Sequence, residues 1–401
     1  MSPIAAVNRR FRAHLLSISL AIIFSMSPQI GLNAHLLAAG SGYRRAGIHG
    51  YISQLIDHLP AAEPAYRYKV FVGDGQLTAH PQLSVRRSRL RTGHPLNRIL
   101  WEQFAQPWQL NGLDLVHEMA FVAPVVMPKP FVVTVYDLTF IRYPDRLPRV
   151  RRLYLRLLTG LSCKRARRVM AISQSTADDL ISLLGVPRDR IDLAIPGVEP
   201  RFHPLPRSEV AAWRSQHHLP EHFLLFVGTL EPRKNLTTLL QAYAALPARD
   251  REACHLVLAG GRGWMDEEID RTIQQHGLSL TVHLPGFVAD NDLPWWYNAA
   301  DALVYPSLFE GWGLPITEAM ACGKPVIVSD ISSLPEAAGD VGMRVAPHDV
   351  AAWTAALARC IDDPAWRVEQ GQSAQERAKC FTWEQTARQT VDSYKRALEL
   401  F

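Results

Sequence analysis

The chain has 401 residues, of which 48% are hydrophobic and 20% are charged. This length gives room for two domains, each with its own core, and the charged fraction is ordinary for a globular protein. Its five cysteines are scattered and form no Cys-x-x-Cys pair, so we expect reduced thiols in a cytoplasmic protein and exclude a disulfide framework or a zinc site.

The net charge of +5 conceals an asymmetry between the two halves. Residues 1–200 carry 25 Lys/Arg and 13 Asp/Glu, whereas residues 201–401 carry 18 and 25. The basic excess is concentrated in residues 86–91 and 142–168. It predicts either a solvated arginine-rich helix or a face that contacts anionic lipid or a phosphorylated acceptor. We expect no nucleic-acid partner, since no recognition motif accompanies the charge.

Residues 1–28 form an N-terminal extension in which three arginines precede an apolar run at 15–24. The pattern is similar to the start of a signal peptide, but the run is shorter than the ~20 residues that span a bilayer. Three hypotheses remain: a signal or anchor, an interfacial helix, or sequence upstream of the true start. The third is favoured because the first predicted strand follows Met26 almost directly.

Short apolar runs then alternate with amphipathic stretches of helical period, which predicts an α/β fold with doubly wound parallel sheets. In the first half we predict strands at 29–37, 68–73, 114–119, 131–137, 168–173 and 191–197. In the second half we predict them at 223–229, 255–261, 281–287, 302–307 and 325–330. Between them, residues 173–185 predict a helix that opens on a serine and stops at Gly185.

Four prolines within residues 196–206 predict an irregular linker. We therefore expect one domain over residues 29–200, a second over 201–380 and a final helix over 381–401. Its Thr382–Gln385 pattern predicts a capping box. In folds of this class, ligands bind at the carboxyl ends of the strands.

One such end carries an unusual pattern of carboxylates and glycines. Glu310 and Glu318 are separated by seven residues that include Gly311 and Gly313. A helix is predicted from about Pro315 to Cys322, so the free N–H groups before it favour an anion such as a phosphate.

Carboxylates repel phosphate, so we expect both glutamates to accept hydrogen bonds from hydroxyl groups on either side of it. A nucleotide-sugar has this layout, with Glu318 at the ribose and Glu310 at the sugar. The alternative is that both glutamates only interact favourably with the helix dipole and bind no ligand.

A second element supports an anion site in the same domain. Residues 227–243 predict a strand, a loop with Arg233 and Lys234, and an amphipathic helix. Two cations beside a helix start can stabilise a diphosphate leaving group. The alternative is a solvated basic turn.

The Asp290-Asn291-Asp292 triplet is the one Asp-x-Asp pattern that suggests Mn²⁺ or Mg²⁺. It directly precedes a predicted helix, so we interpret it as a helix N-cap. We therefore expect a metal-independent protein without a cofactor.

With these motifs in place, the chain resembles the retaining glycosyltransferases of family 4, over roughly residues 29–400. The matching segments are 226–236, 284–288, 305–327 and 332–340, with weaker matches at 132–140, 171–180, 195–202 and 381–387. The resemblance implies the GT-B fold, in which two Rossmann-like domains face each other across a cleft. It also implies that the final helix packs back on the N-terminal domain, which binds the acceptor.

The resemblance also implies roles for individual residues. The catalytic candidates are Arg233, Lys234, Glu310 and Asp137. The donor-binding candidates are Gly47, Gly228, Thr229, Gly286, Phe287, Gly311, Trp312, Gly313, Leu314 and Glu318. The acceptor candidates are His117 and Tyr136, the latter at a position where the family often has histidine.

The implied reaction moves a hexosyl group from a nucleotide-diphosphate sugar to a saccharide or lipid-linked saccharide, with retention of configuration. GDP-mannose is the first expectation for the donor, and polysaccharide or cell-envelope glycan synthesis is the expected setting. We expect a cytoplasmic location, with peripheral contact at the inner face of the membrane through the basic N-terminal half. The alternatives are a nucleotide-sugar epimerase or another non-transferase on the same fold, and a catalytically silent binder.

Overall fold

The computed structural model describes residues 27–37, 47–88, 90, 92–144, 148–263 and 267–399. Residues 1–26 of the N-terminal extension lie outside these ranges, and so do residues 40–46 in the segment before Gly47. Within them, the strands form two sheets whose pairings are all parallel.

The sheet of the first half has the described order β3-β2-β1-β4-β5-β6-β7. Its strands are β1 (Gln29–Asn33), β2 (Arg67–Val72), β3 (Leu83–Arg87), β4 (Leu115–Glu118), β5 (Phe131–Val135), β6 (Arg168–Ala171) and β7 (Ile191–Leu193). In the register, Leu32 of β1 lies opposite Val70 of β2 and His117 of β4. The middle strands are buried along their length, as parallel strands covered on both faces require.

The sheet of the second half has the described order β10-β9-β8-β11-β12-β13. Its strands are β8 (Phe223–Val227), β9 (His255–Ala259), β10 (Val282–Gly286), β11 (Ala302–Tyr305), β12 (Val326–Ser329) and β13 (Met343–Val345). Together with the first sheet, this is the doubly wound α/β architecture that the alternation of runs predicts.

The edge strands β3 and β13 were not predicted, whereas the eleven predicted strands are all present, ten with shorter bounds and β2 shifted by one residue. β3 is exposed along most of its length and carries Ser84, Arg86 and Arg87, while β13 has only three residues. Edge strands are often short and charged, which prevents pairing with other chains. Such strands therefore lack the apolar run on which the prediction depends.

Helices connect the strands and carry apolar residues on the faces that cover the sheets. They are Ile48–Ala62, Pro95–Leu100, Thr139–Arg142, Arg149–Arg165, Gln174–Leu184, Arg207–Gln216, Leu236–Ala244, Ala248–Ala253, Glu267–Gln275, Leu293–Ala299, Leu314–Ala321, Leu334–Ala338, Val350–Asp362, Pro364–Ala378 and Trp383–Glu399. In the described part of the chain, none has the length and apolar character needed to cross a membrane. The five cysteines of the sequence all lie in the described ranges and are free.

Helix Gln174–Leu184 begins after Ser173 and ends before Gly185, as predicted. The Ser173 hydroxyl accepts a hydrogen bond from the N–H of Thr176 at 3.0 Å. Gly185 ends the helix with φ 66°, a left-handed conformation in which a side chain would be strained.

The same helix also receives a cap from the other half of the chain. The Glu336 carboxylate accepts hydrogen bonds from the N–H groups of Gln174 at 2.7 Å and Ser175 at 2.6 Å. A carboxylate at a helix N-terminus accepts hydrogen bonds from the free N–H groups and interacts favourably with the positive end of the helix dipole.

Helix Trp383–Glu399 begins in the second half and packs on the first. The N–H of Gln385 donates to the Thr382 hydroxyl at 3.2 Å, which is one of the two hydrogen bonds of the predicted capping box. Further along, Tyr394 shares a 2.7 Å hydrogen bond with His117 of β4, and Arg396 pairs with Asp192 of β7 at 2.8 Å.

A buried polar cluster lies where the strand order of the first sheet reverses, between β1 and β4. The Glu118 carboxyl accepts hydrogen bonds from the side-chain amides of Asn33 at 2.6 Å and Gln106 at 2.5 Å. Burial raises the pKa of Glu118 to about 8, and it raises that of the neighbouring Glu102 to about 7. Glu102 lies in a π-helical turn, Trp101–Ala105, of a kind often found at functional sites. The cluster therefore holds at least one proton near neutral pH.

We predict that Glu118→Gln weakens the pH dependence of stability. The folded protein keeps the Glu118 proton above the ordinary pKa of 4.5. One such proton makes the free energy of unfolding fall by up to about 1.4 kcal/mol per pH unit as the pH rises. This fall ends near the folded pKa of about 8. Glutamine has no proton to lose, so denaturant unfolding between pH 5 and 8 should show a smaller slope. Exposed Glu209→Gln is the matched control, and equal slopes in wild type and Glu118→Gln would contradict the prediction.

Candidate active site

The candidate site lies at the carboxyl ends of β8 and β11, which are neighbours in the second sheet. Gly228 follows β8, and Arg233 and Lys234 lie in the loop that continues from it. Glu310 lies in the loop after β11. Because neighbouring parallel strands end at the same edge, the two motifs separated by some seventy residues meet there.

The centre of the site is an ionic cluster around Glu310. Its Oε1 lies 2.5 Å from Lys234 Nζ and its Oε2 lies 2.8 Å from Arg233 Nη1. Lys234 Nζ also donates to the Tyr305 hydroxyl at 2.8 Å, and this hydroxyl donates to Glu310 Oε1 at 3.3 Å. Arg233 makes a second ion pair with Glu231 at 2.8 Å. The buried charges of the cluster are thus mutually compensated.

The two cations determine the ionisation of Glu310. Burial alone would raise the pKa of its carboxyl, but Arg233 and Lys234 outweigh burial and hold the pKa at about 2. Burial lowers the pKa of Lys234, and Glu310 opposes this effect. Burial likewise disfavours the charged form of Arg233, yet Glu310 and Glu231 raise its pKa. Glu310 is therefore a carboxylate throughout the physiological range.

The glycine-containing loop between Glu310 and the next helix is held in a defined shape. Gly313 caps helix Leu314–Ala321 with φ 103°, a left-handed conformation that favours glycine. The Ser333 hydroxyl lies 3.0 Å from the Glu310 carbonyl oxygen and 2.9 Å from that of Trp312. Trp312 is buried. The loop amides at this helix N-terminus can bind an anion.

Gly311 brings the loop against the first half of the chain. A Cβ atom at this position would lie 2.2 Å from the carbonyl oxygen of Tyr136, which is shorter than any real contact. Only glycine permits this approach. The backbone after β5 and the glycine loop after β11 therefore face each other across the cleft.

Glu318 lies one turn into helix Leu314–Ala321. Its Oε2 accepts a 2.7 Å hydrogen bond from the Tyr297 hydroxyl. Burial raises the pKa of Glu318 to about 7, although the Tyr297 hydrogen bond opposes this shift. The two glutamates of the motif therefore differ, since Glu310 is ionised and Glu318 titrates near neutral pH.

The remaining donor candidates lie at chain turns with special backbone geometry. Gly47 precedes helix Ile48–Ala62 with φ 68°, and no atom of the described residues lies within 4 Å of where its Cβ would be. Gly228 has φ 151°, and Thr229 follows it. Gly286 ends β10 with φ 81°, and Phe287 after it is 51% exposed.

Asp137 lies on the facing domain, close enough for its charge to act on Arg233. Its Oδ1 accepts a hydrogen bond from the N–H of Thr139 at 2.8 Å.

The structure buries both residues that were predicted to contact the acceptor, His117 and Tyr136. His117 is fully buried, with Nδ1 bonded to Tyr394 and Nε2 bonded to Thr134 at 2.7 Å. The Tyr136 hydroxyl donates to the Met119 carbonyl at 2.8 Å inside the first domain. These polar atoms already have partners within the fold.

The Asp-x-Asp triplet forms a 3₁₀ turn, Asp290–Asp292, before helix Leu293–Ala299. Asp292 occupies the N-cap position, but its side chain makes no capping hydrogen bond with the described backbone, so the predicted cap is wrong in this detail. Asp290 instead pairs with Arg201 at 2.8 Å. The described residues contain no cluster of three His, Cys, Asp or Glu that could hold a metal ion.

Some residues that shape the site were not predicted. The hydroxyl groups of Tyr297, Tyr305 and Ser333 bind the two glutamates or the glycine loop. Ser333 lies within segment 332–340, which the family resemblance had matched, so a signal for it was present. The two tyrosines lie on a helix and a strand, where their pattern is that of core residues.

Two family descriptions match the chain. Glycosyltransferase Family 4 matches residues 45–202, and glycosyl transferases group 1 matches residues 209–378. Among curated relatives, O-antigen chain mannosyltransferase B of Escherichia coli is 31% identical over 371 residues, covering 88% of this chain and 97% of that protein. The serotype-specific mannosyltransferase WbdA of E. coli is 33% identical over 258 residues, but these are 63% of this chain and only 31% of WbdA.

Solved structures show the same architecture. Sucrose-phosphate synthase from Thermosynechococcus elongatus superposes with a TM-score of 0.72 at 24% identity, covering 93% of this chain and all of that one. Alr3699/HepE from Anabaena, in complex with UDP and glucose, gives 0.70 at 18% identity, covering 92% and 99%. At these identities the likeness concerns the fold, and it identifies the two sheets as the GT-B fold.

The relatives named here favour a transferase over the epimerase alternative. The chain belongs to glycosyltransferase family 4, and it is a hexosyltransferase with the GT-B fold.

Proposed function

We propose that the protein transfers mannose from GDP-mannose to a saccharide or lipid-linked saccharide, with retention of anomeric configuration, during cell-envelope glycan synthesis. The observation that carries this proposal is the convergence of Arg233, Lys234 and Glu310 beside the glycine loop, at one edge of the sheet. The mannosyl group is supported by the names of the relatives, which are mannosyltransferases. The cell-envelope setting is supported by their O-antigen description.

In the proposed donor complex, the diphosphate lies between the loop amides at 311–314 and the two cations. Lys234 has three N–H donors, of which Glu310 and Tyr305 accept two. Glu310 holds both cations in place for the charge that develops on the leaving diphosphate. Its carboxylate also lies where a sugar hydroxyl can donate to it, while Glu318 receives the ribose hydroxyls.

The proposed chemistry needs no protein base. The bond between the anomeric carbon and the diphosphate oxygen breaks, and the acceptor hydroxyl forms the new bond on the same face of the sugar. Its proton passes to the departing phosphate oxygen. Positioning and charge stabilisation then supply the rate enhancement. In this mechanism neither metal nor cofactor takes part.

The first prediction concerns the nucleotide. In a thermal-shift panel of GDP, UDP, dTDP and ADP, GDP should stabilise the full chain most. A ligand at ~100 times its dissociation constant adds about 2.7 kcal/mol. Glu318→Ala and Lys234→Ala should lose the shift, whereas Lys379→Ala, at an exposed lysine paired with Glu376, should keep it.

The same panel can refute either level of the proposal. A preference for another nucleotide would refute GDP-mannose as the donor. Equal shifts in wild type, Glu318→Ala and Lys234→Ala would refute the diphosphate site itself. Wild type that melts cooperatively but responds to none of the four nucleotides would also refute it.

The second prediction concerns pH. A carboxylate accepts hydrogen bonds more strongly than the neutral acid does. Because the pKa of Glu318 is near 7, donor binding should tighten as the pH rises from 6 to 8. One coupled proton changes the dissociation constant by up to about tenfold per pH unit. Titration calorimetry should show this dependence in wild type and lose it in Glu318→Gln. Any pH dependence that remains in Glu318→Gln comes from other groups, such as the nucleotide phosphate. If the dissociation constants of wild type and Glu318→Gln depended on pH in the same way, a role for Glu318 would be contradicted.

We also propose that the first domain contacts an anionic membrane surface at the cytoplasmic face. Helix Arg149–Arg165 exposes Val150, Leu153 and Leu157 to solvent, at 82%, 56% and 60%. These positions share one helical face, and exposed or partly exposed arginines surround them. An apolar stripe flanked by cations is typical of helices that lie in a membrane interface.

The segment from Trp101 to Gln109 extends this surface. Its Glu102 acts electrostatically on Tyr154 of helix Arg149–Arg165, so the segment and the helix are adjacent. The segment exposes Phe104 and Trp108 at 70% and 84%. Aromatic rings of this kind favour the headgroup region. The alternative, a solvated arginine-rich helix, does not account for so many exposed apolar side chains.

We therefore predict that the protein co-sediments with phosphatidylglycerol-containing vesicles, and that binding weakens in high salt. The double variant Leu153→Ser and Leu157→Ser should lose binding. Leu280→Ser, which changes an 86% exposed leucine of the other domain, should not. Absence of wild-type binding, or equal binding by the double variant, would show that the face is only solvated.

A further inference from the structure

A cavity of about 810 Å³ lies in the second domain, away from the candidate active site. Its lining includes His222, Asp301 and Lys324, which lie just before β8, β11 and β12 in the sequence. These strands are neighbours, so the cavity is at their amino ends. Helices Arg207–Gln216 and Pro364–Ala378 supply its walls. The active site is at the carboxyl ends of the same strands, about 13–17 Å away for strands of this length.

The lining of the cavity carries an excess of positive charge. Its cations are Arg207, Arg214, Lys324 and Arg367, and its carboxylates are Glu221 and Asp301. Asp301 is already engaged, since it pairs with His222 at 3.0 Å and lies 4.0 Å from Arg367. The charge of the remaining cations is therefore not balanced by this carboxylate.

Lys324 is the most informative of these cations. It is partly buried, and its Nζ has neither a hydrogen bond nor an ion pair with any described residue. The same holds for the Arg207 guanidinium, while Arg214 donates to the Glu221 carbonyl at 2.7 Å. A charge withdrawn from water without a partner is unfavourable. This argument applies to Lys324, since Arg207 is exposed and Arg214 has a partner. The two arginines act electrostatically on Lys324, and together the three cations form a basic lining that favours an anion.

The ionisation of Lys324 agrees with this geometry. Burial lowers its pKa and Asp301 opposes the effect, whereas Arg207 and Arg214 lower the pKa further. Adjacent cations thus disfavour one another in the free protein. A bound anion would relieve this repulsion.

We propose that this cavity binds a small phosphate-bearing anion, with Lys324, Arg207 and Arg214 as its ligands. Lysine binds phosphate as a point charge, and arginine presents paired N–H donors to its oxygens. Three separate cations suit a group with three or more acceptor oxygens better than a carboxylate. The volume is within the ~300–1,000 Å³ of small-molecule sites. Val210 and Leu205 give one wall apolar character for an organic part of the ligand.

The test uses pyridoxal phosphate as the probe on the full chain. Its aldehyde condenses with an unprotonated lysine amine and releases water, and added borohydride reduces the imine to a stable adduct. Peptide mapping then reports each lysine separately. Lys324 should be labelled more strongly than the exposed Lys379, and pyrophosphate should prevent its labelling. Lys324 left unlabelled, or labelled equally with and without pyrophosphate, would overturn the proposal.

A matched pair of variants separates the cavity from other anion sites. Arg207→Gln should reduce the labelling of Lys324 about tenfold, as expected for one lost charge-assisted hydrogen bond. Arg271→Gln, at an exposed position on helix Glu267–Gln275, should leave it unchanged. Lys234 of the active site lies on a different peptide and is the internal reference. Labelling confined to Lys234, or equal effects of the two variants on Lys324, would refute the cavity as a phosphate site.

Discussion

The structure of the site depends on one buried carboxylate, that of Glu310, and on the two cations that flank it. Each of these charges would be strongly unfavourable if it were buried alone, and removal of one partner from such a group typically costs 3–5 kcal/mol. Together, with the Tyr305 hydroxyl, they satisfy one another. The cluster ties the loop after β8 to the loop after β11. Its charges are therefore fixed before any ligand arrives, which is the condition for electrostatic catalysis.

Two of the contacts between the halves of the cleft use backbone groups beside helix starts. Gly311 allows the glycine loop after β11 to approach the Tyr136 carbonyl, and the Glu336 carboxylate caps helix Gln174–Leu184 across the cleft. Both contacts lie beside the candidate donor site. A movement that opens the cleft must break them, which leaves two helix N–H groups to be satisfied by water.

Much of this arrangement follows from local sequence patterns. Buried parallel strands are continuous apolar runs, so the central strands could be found, and the glycines and glutamates at 310–318 predicted an anion site at a helix start. The ion pairs of Glu310 were not predictable, because they depend on the adjacency of β8 and β11. The polar edge strands β3 and β13 had no apolar signal.

The internal partners of buried polar side chains could not be predicted either. His117 and Tyr136 lie at or near strand ends, where either a ligand or an internal partner can satisfy their polar atoms. The sequence does not show which, since the partner of His117, Tyr394, is 277 residues away. Glu118, its neighbour in β4, was overlooked because a single carboxyl in a strand carries no periodic pattern.

The course of helix Trp383–Glu399 has a consequence for the way this enzyme can be recombined with its relatives. The helix follows the second half in sequence, yet its Tyr394 and Arg396 contact His117 and Asp192 of the first sheet. A hybrid that exchanges the first halves of two relatives at the proline-rich linker would therefore place a foreign helix on that sheet. The transferable unit is discontinuous, and it consists of the first two hundred residues together with the last twenty.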